Sequence, residues 1–286
     1  IGARDLLGDA DLTATTEELS RLAEVCLEAA LRMGEAELRA RHGPPLTPGG
    51  AEAGLAIIGM GKLGGEELNY SSDIDVLFVY SEDGETTGGL PNVEYFTRLA
   101  LTVVEALDSV TEEGHAFRVD LRLRPEGRMG PLVRSLESYR TYLIERAETW
   151  ERQALIKARP CAGDPEVGQR FLDLIRPFVY RPGVDPEIVG QVRAMKWEID
   201  RSLRAKGRER RDVKLGLGGI REIEFLVQAL QLLYGSDDPW LRERNTLRAI
   251  FRLTERGYLS PALGRRLTAG YTFLRTVEHR LQIVHE

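Results

Sequence analysis

Gly59–Tyr80, GMGKLGGEELNYSSDIDVLFVY, decides how the rest of the chain is read. A glycine-rich turn opens onto two aspartates, Asp73 and Asp75, at the head of the apolar run Val76–Tyr80. That run is rich in β-branched and aromatic residues and predicts a strand. Positions i and i+2 of a strand share a face, so both carboxylates are expected to project together while Ile74 turns the other way. Two like charges at that spacing repel unless a cation lies between them. Oxygen ligands without histidine or cysteine suit a hard ion such as Mg²⁺. As plain turn residues the aspartates would need no metal, but the preceding glycines favour a site. Gly59, Gly61, Gly64 and Gly65 follow the apolar run Leu55–Ile58, where backbone must turn tightly or approach a phosphate, and Lys62 adds a cation. The segment is neither a Walker A loop, since Leu63 follows Lys62 where a hydroxyl is needed, nor a dinucleotide fingerprint.

A second polar face comes from HAFRVDLRLRPEG. Phe117, Val119, Leu121 and Leu123 alternate with Arg118, Asp120, Arg122 and Arg124, which predicts a strand with one carboxylate among three arginines. Beside the Asp73 strand, Asp120 completes a carboxylate triad. Two metal ions about 3.5 to 4 Å apart then become feasible, with Arg122 and Arg124 facing phosphate. Such a site suits in-line displacement at phosphorus.

The chain has 286 residues, enough for two domains, and 42% hydrophobic with 29% charged residues is a globular composition. A net charge of −6 gives no global positive field for nucleic acid or an anionic membrane. Cys26 and Cys161 make neither a metal spacing nor a disulfide framework, and this suits a reducing cytoplasm. No signal peptide or membrane-length apolar run is present, so a soluble chain is expected. It begins at Ile1 and ends at Glu286 inside a helical pattern, as a piece of a longer protein would.

A helix is expected from a capping box at Thr15 and Glu18, with Leu19, Leu22, Ala23, Cys26, Leu27 and Ala30 as its apolar stripe. GPPLTPGG, residues 43–50, then marks a linker. Val93, Phe96, Leu99, Ala100, Val103, Val104 and Leu107 predict another helix. Beyond Ser135 the pattern turns helical: Ser135–Arg146, then Asp164 and Asp185 as N-caps, each followed by proline. Val192, Met195, Ile199 and Leu203 share a face of the last of these helices. Trp150, Trp197 and Trp240 are expected in cores, and His42, His115, His279 and His285 in surface or core roles. Glu222 and Glu224 lie two apart on a helix and do not share a face.

GMGKLGGEELNYSSDIDVLFVY, FRVDLRLRPEGRMGPLVRS, WERQALIKARPCAGD and KLGLGGIREIEFLVQ, in this order, together resemble glutamine synthetase adenylyltransferase, the bifunctional enzyme also called the adenylyl-removing enzyme. The resemblance runs from RDLLGDADL to FLRTVEHRLQ. It implies an α/β plus all-α chain: a helical arm over residues 1–47, a polymerase-β-type nucleotidyltransferase domain with a mixed sheet over 48–135, and a helical domain over 136–286, truncated at its C-terminus. The wording Asn69 with Ser71–Asp75, Gly130–Val133 and Gly218–Phe225 resembles the N-terminal, adenylyl-removing half more than the adenylylating one.

That half implies phosphorolysis, in which phosphate removes AMP from a modified tyrosine of glutamine synthetase and releases ADP. Asp73, Asp75 and Asp120 would hold two Mg²⁺ ions, while Lys62, Arg122, Arg124 and the amides of Gly64 and Gly65 offset phosphate charge and Ser72 donates a hydrogen bond. The rivals are ATP-dependent adenylylation by the same fold and a non-catalytic regulatory module. A PII-type signalling protein is an expected partner, and glutamine an expected effector.

Overall fold

The computed structural model describes residues 1–112, 114–183, 190, 194, 212–216 and 218–285. The helix expected from Asp185 and Pro186, with Val192, Met195, Ile199 and Leu203, lies outside the described residues, as do Trp197 and the side chain of His285. Helix α1 (Gly2–Leu7) stops at Gly8, whose φ of 80° is left-handed. Helix α2 (Leu12–His42) starts earlier than Thr15, because Asp11 takes the N-cap and accepts the Ala14 N–H at 2.8 Å. The linker then contributes β1 (Pro45–Leu46), which later pairs with β4 (Glu85–Thr86).

The main sheet is mixed. Strand β2 (Leu55–Gly59) runs antiparallel to β3 (Ile74–Tyr80), and the turn between them holds the short helix α3 (Gly61–Gly64). After α4 (Asn92–Asp108), two strands lie parallel to β3 in succession: β5 (Val119–Asp120) against its start and β6 (Val133–Ser135) against its end.

The alternating strand expected through Arg124 is therefore only two residues long. Asp120 Oδ1 accepts the backbone N–H of Arg122 at 2.8 Å, and the Arg124 N–H bonds to the Leu121 carbonyl. Those local bonds turn the chain away from β3 and take over the ladder.

Next come α5 (Leu136–Glu145), capped by Ser135, α6 (Thr149–Leu155) and β7 (Arg159–Gly163), which pairs antiparallel with β2. Sheet structure thus continues beyond Ser135, where the pattern predicts only helices. Pro160 and Gly163 interrupt a helix there, and β2 offers an open edge. Helix α7 (Pro165–Val179) has the expected Asp164 cap. Among the described residues that follow, the helices are α8 (Ile220–Tyr234), α9 (Thr246–Glu255) and α10 (Pro261–His285).

Alternation in β2 and β3 sorts the core into two layers. Leu55, Ile57, Val76 and Phe78 pack under α2 and α4, so the N-terminal helix shares the sheet's core. Ala56, Ile58, Leu77 and Val79 face α5 and α7 and meet Leu232 and Leu233 of α8. A third cluster, around Val227, Ile250 and Leu253, joins α8 to α9. Trp150 and Trp240 are not core residues: Trp150 lines a cleft, and Trp240 is 45% exposed, with the Arg252 guanidinium over its ring. Among the described residues no helix is long and apolar enough to cross a membrane.

Candidate active site

The parallel pairing of β3 with β5 sets Asp75 beside Asp120, on one face of the sheet. Gly61 closes over them. Its φ is +51°, and a Cβ there would lie 2.5 Å from Asp75 Oδ2, so both the turn and the close approach require glycine. These residues floor a cleft of about 550 Å³ between the sheet and α8. Burial, and then the Asp120 charge, push the Asp75 carboxyl up to about 6. Burial also acts to raise Asp120, but the Arg122 guanidinium and backbone N–H more than offset it and hold that carboxyl below its ordinary value.

Asp73 sits one residue ahead of β3 and does not turn into the cleft with Asp75. Its Oδ1 accepts the Arg118 Nε–H at 2.7 Å in an ion pair where both side chains are close to half exposed. Among the described residues no three carboxylate, imidazole or thiolate side chains are placed to hold one metal ion, although the Asp73 charge still acts on Asp75. The assembled pair is Asp75 with Asp120.

The remaining expected phosphate ligands are largely engaged. Gly64 N–H donates to the Met60 carbonyl at 2.9 Å and Gly65 N–H to that of Gly61 at 3.1 Å, so neither amide is left for phosphate. Gly64 is needed for packing instead, since a Cβ would lie 1.9 Å from the Lys157 carbonyl oxygen. Lys62 Nζ donates to Ser72 Oγ at 3.3 Å and to Glu278 Oε1 of α10 at 2.9 Å. Burial, and then the nearby Arg275, lower its ammonium to about 8. Arg122 is paired with both oxygens of Asp120.

Arg124 turns away from the cleft and donates to the carbonyls of Leu121, Arg128 and Gly130 at 2.8, 3.3 and 3.4 Å. It braces the turn after β5, because that turn leaves carbonyls without ladder partners. Arg124→Lys is therefore expected to lower stability by about 1 kcal/mol. Chemical denaturation checks this, and unchanged stability would remove Arg124 from the bracing of the turn.

Sequence reasoning missed the far wall. Lys214 and Arg221, from KLGLGGIR, face the aspartates together with Trp150, Gln153, Glu224 and Gln228. Glu224 Oε1 accepts the Tyr271 hydroxyl at 3.2 Å and lies 3.9 Å from Lys157 Nζ. The glycines of KLGLGGIR were the available signal, since clustered glycines ahead of a helix mark a shaped loop. Chemically, the cleft combines two carboxylate ligands for a hard cation with cationic side chains able to meet phosphate oxygens.

The profile of the family described as "Glutamate-ammonia ligase adenylyltransferase" matches residues 1–174. A second, described as "GlnD PII-uridylyltransferase", matches residues 193–286. Curated relatives carrying the name bifunctional glutamine synthetase adenylyltransferase/adenylyl-removing enzyme include those of Aromatoleum aromaticum, 47% identical over 99% of this chain and 30% of that protein, and Nitrosococcus oceani, 46% identical over 98% and 29%. The Pseudomonas aeruginosa relative is 44% identical over 98% of this chain and 29% of its own length. The chain spans about 30% of the length of these relatives.

Proposed function

The chain belongs to the glutamate-ammonia ligase adenylyltransferase family, and from that premise we propose that it is the adenylyl-removing unit, with a polymerase-β-type nucleotidyltransferase fold. The carrying observation is the adjacency of Asp75 and Asp120 under Gly61. In the proposed reaction an oxygen of inorganic phosphate attacks the AMP phosphorus on a tyrosine of adenylylated glutamine synthetase. The bond from phosphorus to the phenolic oxygen breaks, ADP leaves and the phenolate takes up a proton.

The carboxylate pair suits Mg²⁺. It joins two crowded oxygen donors, one raised to about 6 by burial and like charge, so a cation relieves a cost already present in the fold. When bound there, Mg²⁺ supplies charge neutralisation for phosphate oxygens and for a phenolate of pKa about 10. Asp75 and Asp120 hold the ligand positions, Arg122 is the internal partner that orients Asp120, and the sheet fixes their spacing. Incubation with adenylylated glutamine synthetase, Mg²⁺ and phosphate is expected to release ADP. Absence of ADP, with AMP transferred from ATP to unmodified glutamine synthetase instead, would replace this reading with the forward reaction that the relatives' bifunctional name also contains.

A second reading rests on the PII-uridylyltransferase profile over residues 193–286: the helical half receives a PII-type signalling protein, with glutamine as an effector. Both are compatible with one chain.

A further inference from the structure

The cations expected from sequence to meet phosphate already have partners within the fold. Lys62 is held by Glu278 and Arg122 by Asp120. Lys157, also on the cleft wall, is held by Glu67. Beyond any cation held by Asp75 and Asp120, a substrate anion entering there is helped by further positive side chains, because two carboxylates face it.

The loop before α8 supplies that charge, and its shape is specified by its glycines. Asp212 Oδ1 accepts the backbone N–H groups of Lys214 at 2.9 Å and Leu215 at 2.8 Å. The ring then closes on itself: Gly216 N–H to Asp212 O, Gly219 N–H to Gly216 O, Ile220 N–H to Val213 O, and Arg221 N–H to Lys214 O at 3.0 Å. Gly218 has a left-handed φ of +74°. A Cβ on Gly219 would lie 2.8 to 2.9 Å from the carbonyl oxygens of Gly216, Val213 and Lys214. Only glycine permits this closure.

Its result is that Lys214 and Arg221, seven positions apart, become hydrogen-bonded neighbours whose side chains line the cleft opposite the aspartates. Neither has a carboxylate partner among the described residues. The Arg221 guanidinium rests over the Phe225 ring at 5.3 Å, and the Lys214 charge acts on Asp75, Lys62 and Glu278.

We propose that Lys214 and Arg221, joined by the backbone bonds of residues 212–216 and 218–221, form an anion cradle: the Lys214 ammonium and Arg221 guanidinium receive the phosphate oxygens of an adenine nucleotide across the cleft from Asp75 and Asp120. This rests on the phosphoryl-transfer reading of the cleft and adds that the helical half, rather than the glycine turn, carries the anion subsite. A planar guanidinium stacked on a ring presents its fork in a fixed direction, while the lysine adds a mobile point charge. The nucleotide then contacts both halves of the chain at once.

The test is calorimetric titration of the chain with ADP, in EDTA so that no divalent ion contributes, for wild type, Lys214→Ala, Arg221→Ala, Arg221→Lys and the double alanine variant. Lys214 is exposed and its ring is closed by backbone bonds, so thermal melting is expected to be unchanged for Lys214→Ala. Each alanine variant is expected to weaken ADP binding about tenfold and the double variant about a hundredfold, with Arg221→Lys recovering part of the loss and added salt weakening wild type most. Arg140→Gln, an exposed change outside the cleft, serves as the unaffected control. Wild type that binds no ADP, or alanine variants that bind it as wild type does, overturns the cradle. Loss of ADP binding in the variants of a chain that fails to deadenylylate glutamine synthetase would keep the cradle and reject the reaction.

Discussion

Asp75→Asn is expected to lower phosphorolytic turnover by at least about a thousandfold, roughly 4 kcal/mol of transition-state stabilisation, while making the metal-free protein more stable at neutral pH. Both effects come from the crowded pair. Asp75 is raised to about 6, by burial first and by Asp120 second, from an ordinary carboxylate value near 4. The folded protein therefore binds more protons than the unfolded chain between those limits, and stability is lost as pH rises through about 6. At pH 7 the penalty is on the order of 3 kcal/mol, and the asparagine variant escapes it. Added Mg²⁺ is expected to raise the melting temperature of wild type and not of the variant. Near-normal turnover at ordinary Mg²⁺ concentrations, or an unchanged fall in metal-free stability between pH 4 and 6 in the variant, would remove Asp75 from the ligand set.

The second large effect is expected at Lys157, on the cleft wall. Its ammonium is paired with Glu67, the two side chains being 7% and 5% exposed, and also donates to Thr246 Oγ1 at 3.2 Å. Glu67 Oε1 accepts the Thr246 backbone N–H at 2.6 Å, at the start of α9, and the Glu67 carbonyl accepts from the buried Arg275 of α10. One ion pair thus joins the turn after α3 to two helices of the C-terminal half.

Burial acts to raise Glu67, but the charges of Lys157 and Arg275 more than offset it and hold the carboxyl below its ordinary range. Its stabilisation is present above the usual glutamate value and is lost as pH falls through the lowered one. Lys157→Met strands the carboxylate in the interior, and about 3 to 5 kcal/mol of stability should be lost. The double change Glu67→Gln with Lys157→Met should cost less than the sum of the single changes, because it leaves no unpaired charge. Urea denaturation of the full cycle measures this. A loss below about 1 kcal/mol for Lys157→Met, or strict additivity, would show that the pair is solvated in solution.

The structure makes Lys157 of WERQALIKAR a join between halves, which period alone could not indicate, since Glu67 and Thr246 lie 90 and 89 residues away. The Thr15 capping box failed for a local reason: Asp11 provides a competing cap four residues earlier.

By itself the sequence determined the parts whose cause is local. Short apolar runs specified β2 and β3, helical spacing specified α4, and Ser135 and Asp164 marked helix starts through hydrogen bonds within three residues. The like-charged aspartates and clustered glycines also marked where the site would be sought. Tertiary structure decided which of those groups face one another. It set Asp75 rather than Asp73 beside Asp120, ended β5 after two residues, sent Arg124 into its own loop and tied Lys62 to Glu278, 216 residues away. It also placed Lys214 and Arg221 across from the carboxylates. The physical reason is that periodicity reports which face of an element is apolar, whereas the partner of each polar group depends on which strands and helices meet and how much water their meeting excludes.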